Sequence, residues 1–199
     1  MIRRALLALI ALAWLPMAAT SAAQSRDVQP GDMAMGRADA PVTVVEYASV
    51  TCGHCAAWQH DVWPEFKRRF VDTGRVRFVF RELPTPPVEL ASAGFILARC
   101  AGPDHYFDVV HDLMNEQRAV FQAPLAQLLA IGARHGVTEA EFRACLSDPA
   151  QSNALNARVE AASARGVTGT PTFFVNGRQV AVGEAPIETL EAAIRRAEG

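Results

Sequence analysis

The chain has 199 residues and half of them are hydrophobic, which is enough for one domain with a sizeable core. Its 19 basic and 21 acidic side chains give a net charge of −2, and the only lysine, Lys67, accompanies arginines dispersed along the chain. Because no basic stripe is present, the composition argues against a nucleic-acid-binding protein.

The N-terminus has the pattern of a secretory signal peptide. Arg3 and Arg4 precede an apolar stretch, Ala5 to Leu15, and the small residues Ser21 to Ala23 resemble a cleavage site. A transmembrane anchor is the alternative, but the apolar stretch is shorter than the roughly 20 residues that a spanning helix needs. We therefore predict a cleaved signal over residues 1–23 and an exported protein.

A strand, a helix and a second strand are predicted next. Val42 to Ala48 is rich in β-branched residues, as expected of a buried strand. Ala56 to Phe70 carries large apolar residues at helical spacing, although Pro64 should kink the helix. Val76 to Arg81 alternates as a second strand, and the three elements together predict a βαβ unit.

From Val88 the apolar residues adopt helical spacing, and they keep it as far as Arg165. Within this stretch, Thr138 and Glu141 have the form of a capping box, which marks the start of a helix. The predicted helices are Val88–Ala101, His105–Gln117, Pro124–Arg134, Thr138–Leu146 and Pro149–Arg165.

Strand character returns at Thr172 to Val175, and Asn176-Gly177 is a strong hairpin signal that leads into a strand from Gln179 to Val182. A last helix is predicted from Pro186 to about Ala197. We therefore divide the mature chain into an N-terminal arm (24–40), a strand–helix–strand segment (41–86), a helical segment (87–150) and a C-terminal segment (151–199).

The motif Cys52-Gly53-His54-Cys55, between the first strand and its helix, is typical of thiol–disulfide chemistry. Two intervening residues place both sulfurs on one helical turn, where a disulfide can open and close without large backbone movement. At the start of a helix, Cys52 meets unpaired N–H groups and the positive end of the dipole, which favour a thiolate. We predict that Cys52 is the exposed nucleophile and Cys55 the buried resolving thiol.

This order of elements, with Gly169-Thr170-Pro171 before the hairpin, resembles the DsbA-type thiol:disulfide oxidoreductases of the thioredoxin superfamily. The resemblance rests on Val44–Tyr47, Cys52–Ala56 and Gly169–Gly177. It implies an α/β thioredoxin fold with an inserted helical domain, in a monomeric periplasmic enzyme that needs no cofactor. The implied partners are reduced, unfolded exported proteins, which receive the disulfide, and a DsbB-type membrane quinone reductase, which restores it.

The resemblance also implies roles for two residues beside the cysteines. His54 lies between them, where a proton donor or a cation favours the Cys52 thiolate. Glu46 matches a family glutamate that lies beneath the cysteines and helps to move the proton of the buried thiol. A basic residue often accompanies that acid, and here Arg77 or Arg81 is the candidate partner.

Thr170-Pro171 resembles the family loop in which a cis peptide bond exposes the threonine backbone to a client protein. Main-chain pairing of this kind gives affinity without demanding a particular client sequence. We therefore predict that Thr170 and Pro171 bind substrate, with a trans proline at the start of a strand as the alternative.

Two further cysteines, Cys100 and Cys145, fall in the helical segment. In an oxidising compartment, a structural disulfide between them is the expected arrangement. A second pair that relays electrons and two free buried thiols are the alternatives.

Two features leave the redox role open. Gly53-His54 resembles the dipeptide of protein disulfide isomerase, and a threonine before the loop proline also occurs in bacterial isomerases, so an isomerase or a reductase is the alternative to an oxidase. Dimeric bacterial isomerases need an N-terminal dimerisation domain, which residues 24–40 are not expected to supply. An oxidase is therefore the leading prediction.

A remote alternative is a metal-binding module that uses Cys52, Cys55 and His54. A structural zinc site normally has four ligands in paired clusters, and this chain has a single Cys-x-x-Cys, so no metal is expected. The other histidines are interpreted as surface or packing residues: His60, His105, His111 and His135.

Overall fold

The computed structural model describes residues 27–199, so the predicted signal peptide and the start of the arm lie outside the described residues. Five strands in this part of the chain form one mixed sheet: β1 Met33–Met35, β2 Val42–Ala48, β3 Val76–Glu82, β4 Thr172–Val175 and β5 Arg178–Val182. The order across the sheet is β1-β3-β2-β4-β5, and only β2 and β3 run parallel. The central strand β2 is buried along its whole length.

The edge strand β1 falls inside the segment predicted to be an extended arm. It pairs antiparallel with β3, with Met33 opposite Phe80. Three residues are too few to show an alternating pattern, so the sequence alone does not indicate this strand. The arm therefore contributes to the sheet.

The helix after β2 is interrupted, as the position of Pro64 predicts. It consists of α1 Gly53–Asp61, α2 Trp63–Phe66 and a π-helical turn, Lys67–Val71. Proline has no N–H to donate and its ring crowds the carbonyl four residues earlier, so the hydrogen-bond ladder breaks there. Val62, between the two helices, still donates its N–H to the carbonyl of Trp58.

Aromatic side chains hold these helices against the sheet. The rings of Trp58 and Phe173 lie 4.7 Å apart, and those of Trp63 and Phe78 lie 4.6 Å apart. The indole N–H of Trp58 also donates to the carbonyl of Ala185 at 3.0 Å. The position of α1, and hence of the cysteines at its start, is therefore fixed by buried packing.

Helices fill the chain between β3 and β4, and one more follows β5. They are α3 Val88–Cys100, α4 Tyr106–Asn115, α5 Gln117–Gln122, α6 Pro124–Arg134, α7 Glu139–Ser147, α8 Pro149–Ala164 and α9 Ile187–Glu198. The predicted helix His105–Gln117 ends two residues early, and α5 follows as a separate short helix. Within residues 27–199, each helix is too short or too polar to cross a bilayer.

A buried carboxylate joins the sheet to these helices. Glu82, at the end of β3, is fully buried and lies 2.6 Å from the guanidinium of Arg99 on α3. Arg158 on α8 lies 2.5 Å from its other oxygen, as an ion pair without hydrogen-bond geometry. The hydroxyl of Tyr106 on α4 donates to it at 2.9 Å. The carboxylate of Glu82 on the sheet thus contacts a side chain from each of three helices.

Candidate active site

Cys52 is the N-cap residue of α1. Its backbone is extended, with φ −83° and ψ 120°, and its sulfur accepts a hydrogen bond from the backbone N–H of Cys55 at 3.4 Å. The sulfur therefore occupies the position where a capping side chain satisfies an unpaired N–H at the positive end of a helix. A negative charge is favoured at this position.

The pKa of Cys52 is lowered to about 5, chiefly by a hydrogen bond from the Cys55 thiol. Burial opposes this shift, while the Thr170 side chain and the backbone N–H groups of Cys55 and His54 assist it. The carbonyl oxygen of Thr170, 3.4 Å from the sulfur, acts in the other direction because it accepts only from the protonated thiol. The donors outnumber this single acceptor, so the thiolate is the favoured form at neutral pH.

Cys55 differs from Cys52 in both exposure and acidity. Cys52 is partly exposed, whereas Cys55 is fully buried on the first turn of α1. Burial raises the pKa of Cys55 well above its ordinary value, and the hydrogen bond to Cys52 and the charge of Glu46 raise it further. The two sulfurs are therefore an accessible thiolate and a buried thiol.

His54 is exposed, and its Nδ1 lies 2.6 Å from Oε1 of Glu184. Glu184 raises the pKa of His54, and the charge of Cys52 raises it further. Glu184 reaches this position because Gly183, directly after β5, donates its N–H to the carbonyl of Pro171 at 2.8 Å. Sequence reasoning missed Glu184, since 130 residues separate it from His54. The only signal for it in the sequence is that Glu184 is an acidic residue two positions after the predicted end of the hairpin.

Glu46 lies in the central strand β2, with a side chain that is almost completely buried. Burial raises the pKa of Glu46 to about 8, and the Cys52 thiolate adds to this shift. Its Oε2 atom has no hydrogen-bond partner among the described residues. Such a carboxyl group keeps its proton near neutral pH and can exchange it with a neighbour.

The basic partner suggested for Glu46 is wrong. The guanidinium of Arg81 donates to Asp32 and to the hydroxyl of Tyr47, on the side of the sheet near β1. Arg77 donates to the carbonyl of Gly36. Neighbouring residues of a strand point to opposite faces, so a basic residue in β3 need not face an acid in β2. Neither arginine pairs with Glu46.

The Thr170–Pro171 loop lies against the dithiol. The peptide bond between these two residues is cis, and the Thr170 carbonyl is the group 3.4 Å from the Cys52 sulfur. The strand β4 begins directly afterwards, and the Thr172 hydroxyl donates to the carbonyl of Gly169 at 2.7 Å. The structure thus brings Cys52, Cys55 and Thr170 together from two distant parts of the chain.

Gln117 is a second residue that sequence reasoning missed. From the start of α5, its side-chain amide donates to the carbonyl of Val50 at 2.9 Å and to that of Cys52 at 3.2 Å. A lone glutamine carries no motif, and α5 itself was not predicted, so only the packing of the helices reveals this contact. The helical part of the chain therefore positions the loop that bears the nucleophile.

Cys100 and Cys145 form a disulfide, with an S–S distance of 2.01 Å. The bond connects the end of α3 to α7, within the helical part of the chain. Cys52 and Cys55, in contrast, are free thiols in this structure. In this structure the first pair is thus oxidised and the second pair is reduced.

Residues 28–196 match the thioredoxin family. One relative is a Rickettsia bellii protein that is named as a protein-disulfide oxidoreductase. It is 36% identical over 174 residues, which cover 85% of this chain and 66% of that protein. A protein of the same description from Rickettsia conorii is 34% identical, over 85% of this chain and 61% of its own length. This chain therefore spans less than two thirds of either relative.

Many solved structures share the fold. The α-DsbA1 protein of Wolbachia pipientis has a TM-score of 0.78 and 24% identity, over 86% of this chain and 93% of its own. Oxidised BdbD of Bacillus subtilis has a TM-score of 0.69 and 21% identity, over 84% of this chain and 93% of its own. The chain therefore belongs to the thioredoxin family and has the fold of the DsbA-type proteins that it resembles.

Proposed function

We propose that this chain is a thiol:disulfide oxidoreductase that donates its Cys52–Cys55 disulfide to reduced client proteins. The observation that carries the proposal is the placement of the two sulfurs. Cys52 is a partly exposed N-cap whose sulfur accepts the N–H of Cys55, whereas Cys55 is fully buried. This placement lowers the pKa of Cys52 to about 5 and raises that of Cys55. Stabilising the Cys52 thiolate stabilises the reduced form, which makes the disulfide form a better oxidant.

In the proposed reaction, a client thiolate attacks the Cys52 sulfur of the disulfide, and the Cys52–Cys55 bond breaks. Cys55 leaves with the electron pair and takes up a proton, because burial disfavours its thiolate. The buried carboxyl of Glu46, whose pKa is raised to about 8, is the proposed source of that proton. The carboxyl recovers it from solvent.

A second client thiolate then attacks the client sulfur of the mixed disulfide, and Cys52 leaves as a thiolate. A thiol of low pKa is a good leaving group, so this release is fast. The client gains one disulfide, and the protein is left with a Cys52 thiolate and a Cys55 thiol. Two electrons pass from client to protein, and a membrane quinone-linked partner of the DsbB type is the proposed acceptor that restores the disulfide.

The proposed location is the periplasm, and the proposed site of client binding is the Thr170–Pro171 loop. The signal-peptide pattern of residues 1–23 supports export, and the Cys100–Cys145 disulfide fits an oxidising compartment. The Thr170 carbonyl lies beside the Cys52 sulfur, so a client strand paired with this loop would present its own sulfur to Cys52.

Two variants test the proposal. Cys52→Ser should abolish the oxidation of a reduced client protein, because no sulfur remains for the client to attack. Cys55→Ser cannot form the Cys52–Cys55 disulfide, so it should also fail to oxidise a reduced client. With a client that already contains a disulfide, its Cys52 thiolate should attack that disulfide, release one client thiolate and accumulate a mixed disulfide, because no thiol at position 55 resolves it. Client oxidation at the wild-type rate by both variants would overturn the assignment.

A redox titration distinguishes an oxidase from an isomerase or a reductase. The Cys52–Cys55 couple is equilibrated with glutathione buffers, and its reduced fraction is measured by thiol alkylation. An oxidase requires a couple more oxidising than that of protein disulfide isomerase, at about −180 mV, and a reductase one near that of thioredoxin, at about −270 mV. A reduction potential near −270 mV would change the assignment from an oxidase to a reductase of the same fold.

A further inference from the structure

Three side chains that can bind a metal ion meet on the helical part of the chain, outside the dithiol site. They are His105, Asp108 and His135, and one ligand atom of each lies within 4.8 Å of the others. His105 precedes α4, Asp108 lies on the first turn of α4, and His135 follows the last residue of α6. Only the packing of α4 against α6 brings these residues together.

We propose that these three residues form a binding site for a divalent transition-metal ion, with Zn²⁺ as the ion that suits them best. Two imidazoles and a carboxylate are ligands that zinc accepts, and a water molecule would complete a four-coordinate site. The three side chains must approach one another to about 3.3 Å for zinc–ligand distances of about 2.0–2.1 Å. His105 and Asp108 are more than half exposed, so their side chains are free to make this adjustment.

A fourth residue, Asp112, orients one of the ligands. Its Oδ2 lies 2.9 Å from Nε2 of His135, which leaves Nδ1 of that ring for the metal ion. A carboxylate on the second nitrogen of a metal-binding histidine is a recurring arrangement, because it fixes the ring and makes it a stronger ligand.

The local charge is compatible with a cation. Arg134 is adjacent to His135, but its guanidinium is paired with Asp112 at 2.9 Å and also with Glu116, so these acids offset its charge. His135 lies at the C-terminal end of α6, where the unpaired carbonyl groups favour positive charge. The side chain of His135 is only 16% exposed, whereas the other two ligands face solvent, so an ion can enter from outside.

The proposed ion would connect α4 to α6. Because the three ligands come together only in the folded chain, binding should stabilise the native state by mass action. This inference does not depend on the redox function, since none of its residues contacts Cys52 or Cys55 within the described chain.

The test uses the full chain with both cysteine pairs oxidised, so that no thiolate competes for zinc. Calorimetric titration with Zn²⁺ should give one ion per chain. Zn²⁺ at about 100 times its dissociation constant should raise the Tm by about 5–10 °C. His105→Gln and His135→Ala should each weaken binding at least tenfold and remove the shift in Tm.

The matched control is His60→Gln. His60 is also exposed and also lies 2.6 Å from a carboxylate, that of Asp61, but it belongs to no cluster of three ligands among the described residues. Zinc binding should be unchanged in this variant. Absence of stoichiometric binding, persistence of binding in His105→Gln, or its loss in His60→Gln would each overturn the proposal. If His135→Ala does not fold, the exposed His105→Gln variant decides the result.

Discussion

The imidazole of His54 is held 2.6 Å from the carboxylate of Glu184, which connects the residue between the two active-site cysteines to the loop after β5. Glu184 is the main cause of the raised pKa of His54, and the Cys52 thiolate is a weaker one. The imidazolium therefore persists to higher pH than that of an isolated histidine. Its interaction with the thiolate is therefore present above the Cys52 pKa of about 5, where the sulfur is ionised, and is lost as pH rises through the pKa of His54.

Glu184→Gln should move the pKa of His54 down towards its ordinary value, because the variant removes the carboxylate that favours the charged ring. The measurement is an NMR titration of the His54 ring protons. Glu188→Gln is the control, since it makes the same change of charge at an exposed position on α9. Equal midpoints for His54 in the two variants would contradict the assignment of the shift to Glu184.

The two substitutions that best match Cys55 in size should have different effects on Cys52. The Cys55 thiol is the main cause of the low pKa of Cys52. Cys55→Ser keeps a donor and should leave Cys52 with a pKa near the wild-type value of about 5. Cys55→Ala removes the donor and should raise that pKa. The thiolate absorbance at 240 nm, followed from pH 3 to 10, gives both values, and identical midpoints would contradict the prediction.

Glu46→Gln should change how the stability of the reduced protein depends on pH. The pKa of Glu46 is raised from 4.5 to about 8, so between these values the folded chain keeps a proton that the unfolded chain releases. Folding stability then falls with rising pH by up to about 1.4 kcal/mol per pH unit. The variant lacks this titration, and it should gain stability relative to the wild type from pH 5 to 8.

Urea unfolding at pH 5, 6.5 and 8 measures this effect. Glu160→Gln, at an exposed position on α8, is the control and should follow the wild-type curve. Stability curves of Glu46→Gln and wild type that stay parallel over this range would show that Glu46 is ionised at its buried position, against the prediction.

Glu82→Gln should destabilise the fold by about 3–5 kcal/mol, because it leaves the guanidinium groups of Arg99 and Arg158 without their buried counter-charge. Urea unfolding at neutral pH measures the loss. Glu89→Gln on α3, which is exposed, should change stability by less than about 0.5 kcal/mol. A loss below about 1 kcal/mol in Glu82→Gln would contradict the role of Glu82 as the junction between sheet and helices.

Much of the fold could be predicted because its signals are local. The strands β2 and β4 and the helix α6 have the predicted bounds, since each has a clear period or a proline or glycine at its end. The cysteine pair at the start of α1 was predictable from its motif for the same reason. In contrast, β1 is too short to show a period, and α5 follows α4 without a break that the sequence marks.

The parts of the site that sequence reasoning missed depend on contacts between distant residues. Glu184 reaches His54 only because β5 ends beside the Pro171 loop. His105 and His135 are isolated histidines in the sequence, and the packing of two helices places them side by side. The wrong prediction of a partner for Glu46 has a similar origin. The strand pattern does not indicate that Arg81 forms an ion pair with Asp32 and is therefore not available to Glu46.

The amide group of Gln117 limits how far this protein could be shortened. A truncated version that kept the sheet with α1, α2 and α9 would lose the only side-chain donor that the described residues offer to the carbonyls of Val50 and Cys52. Water would replace it, and the turn before α1 would become more mobile. An engineered chimera that exchanges the helical part for that of a homologue should therefore retain a donor at the place of Gln117.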